Sequence, residues 1–122
     1  MAASRIQRHR WSETPVESIT PAIDRKFITA DGMTLAHFQL KAGGVVPRHA
    51  HENEQLSYVV AGALKFVVDD ETIVASGGDV VQIPSGVPHA VEVLEDSFVI
   101  DVFAPVRQDW IDRTDAYFRR EA

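Results

Sequence analysis

Apolar and polar residues alternate in short bursts along most of this chain, and the bursts end at residues that turn the backbone. The segments "MTLAHFQL" (33–40), "LSYVVAG" (56–62), "ALKFVVDD" (63–70), "ETIVAS" (71–76), "DVVQIP" (79–84), "HAVEVLE" (89–95) and "SFVIDVFA" (97–104) are rich in β-branched and aromatic side chains. Each is bounded by Gly, Pro, Asp or Ser, which supply the backbone angles or hydrogen bonds that turns need. Closely spaced strands of this kind predict an all-β sandwich or barrel. Only "RQDWIDRTDAYFRR" differs, because Trp110, Thr114, Tyr117 and Phe118 recur at helical spacing. It predicts a short C-terminal helix over 107–119, packed on the outside.

The length of 122 residues sets one domain, spanning 1–122, since domains usually run to roughly 100–150 residues. With 45% hydrophobic and 25% charged residues the chain is too apolar for disorder, and no apolar run is long enough to cross a bilayer. The opening "MAASRIQRHRW" has arginines but no apolar stretch behind them, so residues 1–12 are expected to form a flexible or dimer-arm segment, not a signal peptide. The chain has no cysteine, which removes disulfides, thiolate metal sites and Cys nucleophiles together and favours a cytoplasmic location. A net charge of -6 provides no basic field for nucleic acid. An anionic small substrate therefore needs a local positive site.

Histidines offer one. In "PRHAHENEQLSYVVAG" (47–62), His49 and His51 share a face if the strand is extended, and Gln55 has the same parity. A fourth candidate, His89, follows the turn in "GGDVVQIPSGVPHAVEV". Against a metal site stands the ordinary alternative of surface loop histidines and a strand-end His89, to which an isolated His-x-His pair is often owed. Neighbouring Glu54 would replace Gln55 as a ligand if a bulge intervened. His9 falls in the N-terminal segment, and His37 reads as a strand residue.

Taken together, the two segments resemble the paired motifs of the cupin superfamily. Gly43, His49, His51, Gln55 and Gly62 match the first motif, with Gln in the place of Glu. Gly78, Pro84, Gly86 and His89 match the second, with Val93 in the place of Asn. The resemblance implies a cupin jelly-roll β-barrel, a metal held inside by His49, His51, Gln55 and His89, and a homodimer. A divalent transition metal (Ni, Zn, Fe, Co, Mn or Cu) suits three imidazoles and an amide, and these neutral ligands leave its +2 charge undiminished. Loss of the carboxylate weakens the case for oxygen-activating chemistry.

In "SFVIDVFAPVRQDW", Asp101 alternates with Val99 and Phe103, so it shares their face, and a buried carboxylate must be paired or functional. The bland readings are a strand-end Asp101 that faces solvent or is hydrogen-bonded structurally, a core Phe103 and a helix-start surface Arg107. However, "DVFAPVR" followed by "QDW" is similar to the tail of the pectin-degradation cupins that open the ring of unsaturated monouronates, and Trp11, Arg25 and Lys26 also fall in corresponding places. That resemblance implies catalytic roles for Asp101, Phe103 and Arg107, and a small sugar acid as substrate. Two other classes remain open at this stage: a non-enzymatic sugar-binding or sensor cupin, and a metal-dependent dioxygenase or lyase acting on another small acid. Both faces of residues 97–104 are apolar, so the outer one is expected to lie under the helix or a second subunit.

Overall fold

The computed structural model describes residues 6–116. After a 3-10 turn at Trp11–Glu13 come ten strands: β1 (Glu17–Thr20), β2 (Ile23–Thr29), β3 (Thr34–Leu40), β4 (Val45–His49), β5 (Glu54–Ala61), β6 (Ala63–Val68), β7 (Glu71–Ser76), β8 (Val80–Ile83), β9 (His89–Val93) and β10 (Ser97–Ala104). A four-residue helix, α1 (Gln108–Ile111), follows. The strands form two antiparallel sheets ordered β1-β2-β3-β10-β5-β8 and β4-β9-β6-β7. Their inward rows, including Phe38, Val59, Phe66, Val91 and Val99, are buried as one apolar core. This is the jelly-roll arrangement of the expected all-β fold.

Three strands escape the burst pattern of the sequence. In β2 ("IDRKFIT") the inward side alternates Ile23, Arg25 and Phe27, and Arg25 is 1% exposed. A guanidinium tolerates that burial because Asp115 accepts from its Nη1 at 3.0 Å, while Glu17 of β1 accepts from Nε and Nη2 at 3.1 and 2.9 Å. β1 is only four residues long, and β4 contains Pro47, so neither presents a clean alternation.

The helix is shorter than its predicted span. It stops at Ile111, Arg113 adopts φ 59, and Asp115 is committed to Arg25, so the backbone leaves helical geometry. Tyr117 and Phe118 lie outside the described residues. Nor does α1 sit outside the domain: Trp110 is 3% exposed, packs on Phe103, Phe27 and Phe38, and closes one end of the space between the sheets. The outer surface of the six-stranded sheet is covered at one end by Trp11, whose ring lies 5.0 Å from that of His37. Lys26 Nζ donates to the Trp11 carbonyl at 2.8 Å and fastens that segment.

Gly62, between β5 and β6, has φ 97, and a Cβ there would fall 2.1 Å from Ser97 Oγ and 2.5 Å from the Asp96 carbonyl oxygen. Only glycine permits both the left-handed turn and the close approach. Ser97 Oγ uses the room to accept from the Ala63 N–H at 3.1 Å.

Candidate active site

The two sheets face each other across a pocket whose polar wall comprises His49, Gln55, Ser57, His89, Asp101 and Arg107, and whose apolar lining includes Leu40, Leu64, Phe66 and Val91. His49 ends β4, directly opposite His89 on β9. His51 lies beyond the end of β4, in the link to β5. The shared-strand argument for His49 and His51 therefore fails in its premise, since the register shifts between Val46 and His49 and the strand stops there. The imidazoles still converge: a ligand atom from each of His49, His51 and His89 lies within 4.8 Å of the others.

Each imidazole is oriented by a backbone carbonyl. His49 Nδ1 lies 2.7 Å from the Pro47 oxygen, His51 Nδ1 3.0 Å from that of Asn53, and His89 Nδ1 2.8 Å from that of Val87. A carbonyl only accepts, so each Nδ1 carries the proton and each Nε2 presents a lone pair. Burial pushes the His49 and His51 pKa values down to about 4, assisted for His51 by the Arg107 charge, and also lowers that of His89. At neutral pH the cluster is uncharged and ready to coordinate.

Gln55 extends inward from β5 and is buried, whereas Glu54 points out, with Gln82 Nε2 donating to its Oε2 at 3.4 Å. The carboxylate alternative thus faces away from the imidazoles. Gln55 Nε2 donates to Ser57 Oγ at 2.9 Å and to Asp101 Oδ2 at 3.4 Å, which turns Oε1 toward His51 Nε2 at 3.1 Å. With its proton on Nδ1, His51 therefore meets Gln55 lone pair to lone pair. Two acceptors at hydrogen-bond distance with no proton between them suit an intervening cation, and a set of three imidazoles and one amide oxygen fits a divalent transition metal.

Asp101 lies on β10 opposite Ser57, with its side chain inward. Burial raises its pKa to about 7, against the lowering effects of a hydrogen bond from Ser57 and the charge of Arg107. Its Oδ1 is buried without a hydrogen-bond partner among the described residues. Phe103, two residues on, faces His51 edge to face at 5.7 Å. Of the bland readings, those of a solvent-facing Asp101 and a surface Arg107 fail, Arg107 being 2% exposed, whereas Asp101 does accept a hydrogen bond from Gln55, as its structural reading expects. Phe103 belongs to both core and pocket wall.

Arg107 stacks over Phe103 at 4.6 Å and Trp110 at 4.3 Å. Its Nε and Nη2 donate to the Asp109 carboxylate at 2.9 and 2.7 Å. Burial would raise the Asp109 pKa, but the Arg107 hydrogen bonds and charge outweigh it and hold the carboxyl below its ordinary range. The Nε and Nη2 edge of Arg107 is thus engaged within the protein.

Four contributors escaped the sequence reading. Ser57 touches both Gln55 and Asp101, Trp110 closes the pocket, and Asp109 holds Arg107. Asn53, 3% exposed, donates from Nδ2 to the Pro105 and Val106 carbonyls at 2.6 and 3.0 Å while its own carbonyl orients His51, so it ties the histidine loop to the Arg107 segment. In the sequence, Asn53 falls at none of the motif positions. The partners that give Asn53 its role lie more than fifty residues away.

Comparison with known proteins agrees with this geometry. The family model for the cupin domain matches residues 36–103. The pectin degradation protein KdgF of Dickeya dadantii is 32% identical over 81% of this chain and 93% of its own length. The structure of KdgF from a Halomonas species superposes with a TM-score of 0.76 at 32% identity, covering 83% of this chain and 96% of that one. An RmlC-like cupin from Shewanella frigidimarina gives 0.79 at 26% identity, covering 87% and 96%. By motif, backbone and extent of match, the chain belongs to the cupin family and is akin within it to the KdgF proteins.

Proposed function

We propose that this protein is a metal-dependent enzyme that opens the ring of 4,5-unsaturated monouronates released from pectin or alginate, giving linear 5-keto-4-deoxyuronates. The observation that carries the reading is Asp101, a buried carboxyl of pKa about 7 with one unclaimed oxygen, set beside a site suited to a metal. The pectin-degradation relatives supply the substrate class. The reaction is an isomerisation: the C1 hydroxyl loses a proton, the bond from C1 to the ring oxygen breaks, that oxygen becomes the C5 ketone, and C4 gains a proton. One group of near-neutral pKa can accept the first proton and deliver the last, and Asp101 is assigned that shuttle.

His49, His51, His89 and Gln55 would hold the metal, which supplies Lewis-acid stabilisation of negative charge on substrate oxygens. Phe103 walls the sugar and keeps water from Asp101. Arg107 adds positive charge for the uronate carboxylate, and gripping that carboxylate with its Nε and Nη2 edge requires Asp109 to yield. This charge distribution lets an acidic protein take an acidic substrate. A cytoplasmic location suits a chain without cysteine, and a homodimer would cover the apolar outer row of Leu56, Tyr58 and Val80.

The test is to add metal-loaded protein to unsaturated galacturonate and follow loss of the conjugated double bond's ultraviolet absorbance against spontaneous opening. Acceleration that Asp101→Asn abolishes is expected. Binding of the sugar without acceleration would sink the enzymatic reading in favour of a sensor, and a requirement for dioxygen would favour a dioxygenase.

A further inference from the structure

We infer that Ser57 is a positioning residue that fixes which end of the Gln55 amide faces the histidines. Gln55 presents an oxygen on one end and an NH2 on the other, and a half-turn of the amide exchanges them. Turned over, its NH2 would donate to His51 Nε2, a satisfied hydrogen bond that fills the metal-facing lone pair with a proton donor. The observed orientation instead sets oxygen against lone pair at 3.1 Å. That arrangement needs an acceptor holding the NH2 elsewhere, and Ser57 Oγ does so at 2.9 Å, closer than Asp101 Oδ2 at 3.4 Å.

Ser57 is 1% exposed, and its place on β5 directly opposite Asp101 puts its hydroxyl, which accepts from Gln55, beside the strand that carries the carboxyl. Gln55 Nε2 meets both the hydroxyl and the carboxyl, which sets the neutral ligand in a fixed orientation to Asp101. Alanine there would leave the amide free to turn and satisfy His51 without a metal. The role assigned to Ser57 rests on the proposed metal site but needs no particular substrate.

The test is Co2+ binding by purified protein, read from the visible ligand-field spectrum and competition with a chelator, for the parent, Ser57→Ala and Ser57→Thr. Residues that orient metal ligands typically alter affinity by roughly 10–100-fold. We expect Ser57→Ala to weaken Co2+ binding by at least about tenfold and change its spectrum, with thermal stability of the metal-free protein nearly unchanged. Ser57→Thr, which keeps the hydroxyl, should restore both within a few-fold. Parent-like affinity and spectrum in Ser57→Ala would overturn the inference, as would a failure of Thr to restore them. A parent that binds Co2+ but does not accelerate ring opening would overturn the proposed reaction and leave the role of Ser57 standing, whereas a parent that binds no Co2+ would overturn both.

Discussion

At the scale of the residue, Gln55 separates this site from one with a carboxylate ligand. Gln55→Glu would bring a second acidic group to within hydrogen-bond reach of Asp101 and give Ser57 an acceptor where it now meets a donor. The negative ligand should tighten binding of a divalent metal while reducing its electrophilicity and penalising ionisation of Asp101. We expect Co2+ affinity to rise and ring-opening kcat to fall by about tenfold or more, the scale of general acid-base contributions. The ultraviolet assay and the chelator competition measure the two effects separately. Gln55 was readable because motif spacing marks it, and the imidazoles for the same reason. Ser57 and Asn53 were not: Ser57 falls at no motif position although its partner Gln55 is two residues away, and the partners of Asn53 lie 52 and 53 residues away, which no local pattern records.

Residue-level pKa values also set a pH dependence. His49, His51 and His89 titrate lower in the fold than the ordinary 6.5, His49 and His51 at about 4. The unfolded chain therefore binds more protons at these sites, and the stability they contribute above pH 6.5 is lost as pH falls toward 4. Asp101 acts oppositely: the fold keeps its proton to about pH 7 whereas an ordinary Asp releases it near 3.8, so its ionisation costs stability as pH rises between those values. Three imidazoles against one carboxyl leave a net loss on acidification. Urea midpoints of metal-free protein should fall from pH 6.5 to 4.5. A flat or rising profile would contradict the neutral, buried state of the cluster.

Among elements, the informative one is β2, joined to the C-terminal segment by Arg25 and Asp115, both 1% exposed. Its inward arginine interrupts the apolar alternation that marks a strand in the sequence. The same ion pair ends the helix early, because Asp115 must reach Arg25, so one long-range contact accounts for a missed strand and an overlong helix. Removing Arg25 takes the buried cation from both Asp115 and Glu17, and breaking a buried pair typically costs about 3–5 kcal/mol. Arg25→Met should destabilise by about that amount in urea unfolding, and much of the loss should be recovered in the double variant Arg25→Met/Asp115→Leu. Strands with clean alternation, such as β10, were legible because burial on one face is all that shapes them.

For the whole molecule, the six-stranded sheet carries its core on one side and, on the other, the row of Leu56 (44% exposed), Tyr58 (43%) and Val80 (58%), continued by half-buried Ile100 and Val102. α1 packs inward through Trp110, so among the described residues no helix covers this row, and a second copy is the cover we expect. An isologous contact would set the same row against itself. Sedimentation of the parent at micromolar concentration should give a dimer and Tyr58→Glu a monomer. A monomeric parent would refute the arrangement.

The packing of Trp110 has an optical consequence. Its indole lies 4.2 Å from the Arg25 guanidinium and 4.3 Å from that of Arg107, so two cations polarise one chromophore. The chain's other tryptophan, Trp11, lies on the outer sheet face, away from the pocket. Any anion that draws Arg107 off the ring alters the electric field at the indole and hence its emission colour. The protein thus carries its own fluorescent gauge of pocket occupancy, able to follow a sugar acid arriving before any bond in it has broken.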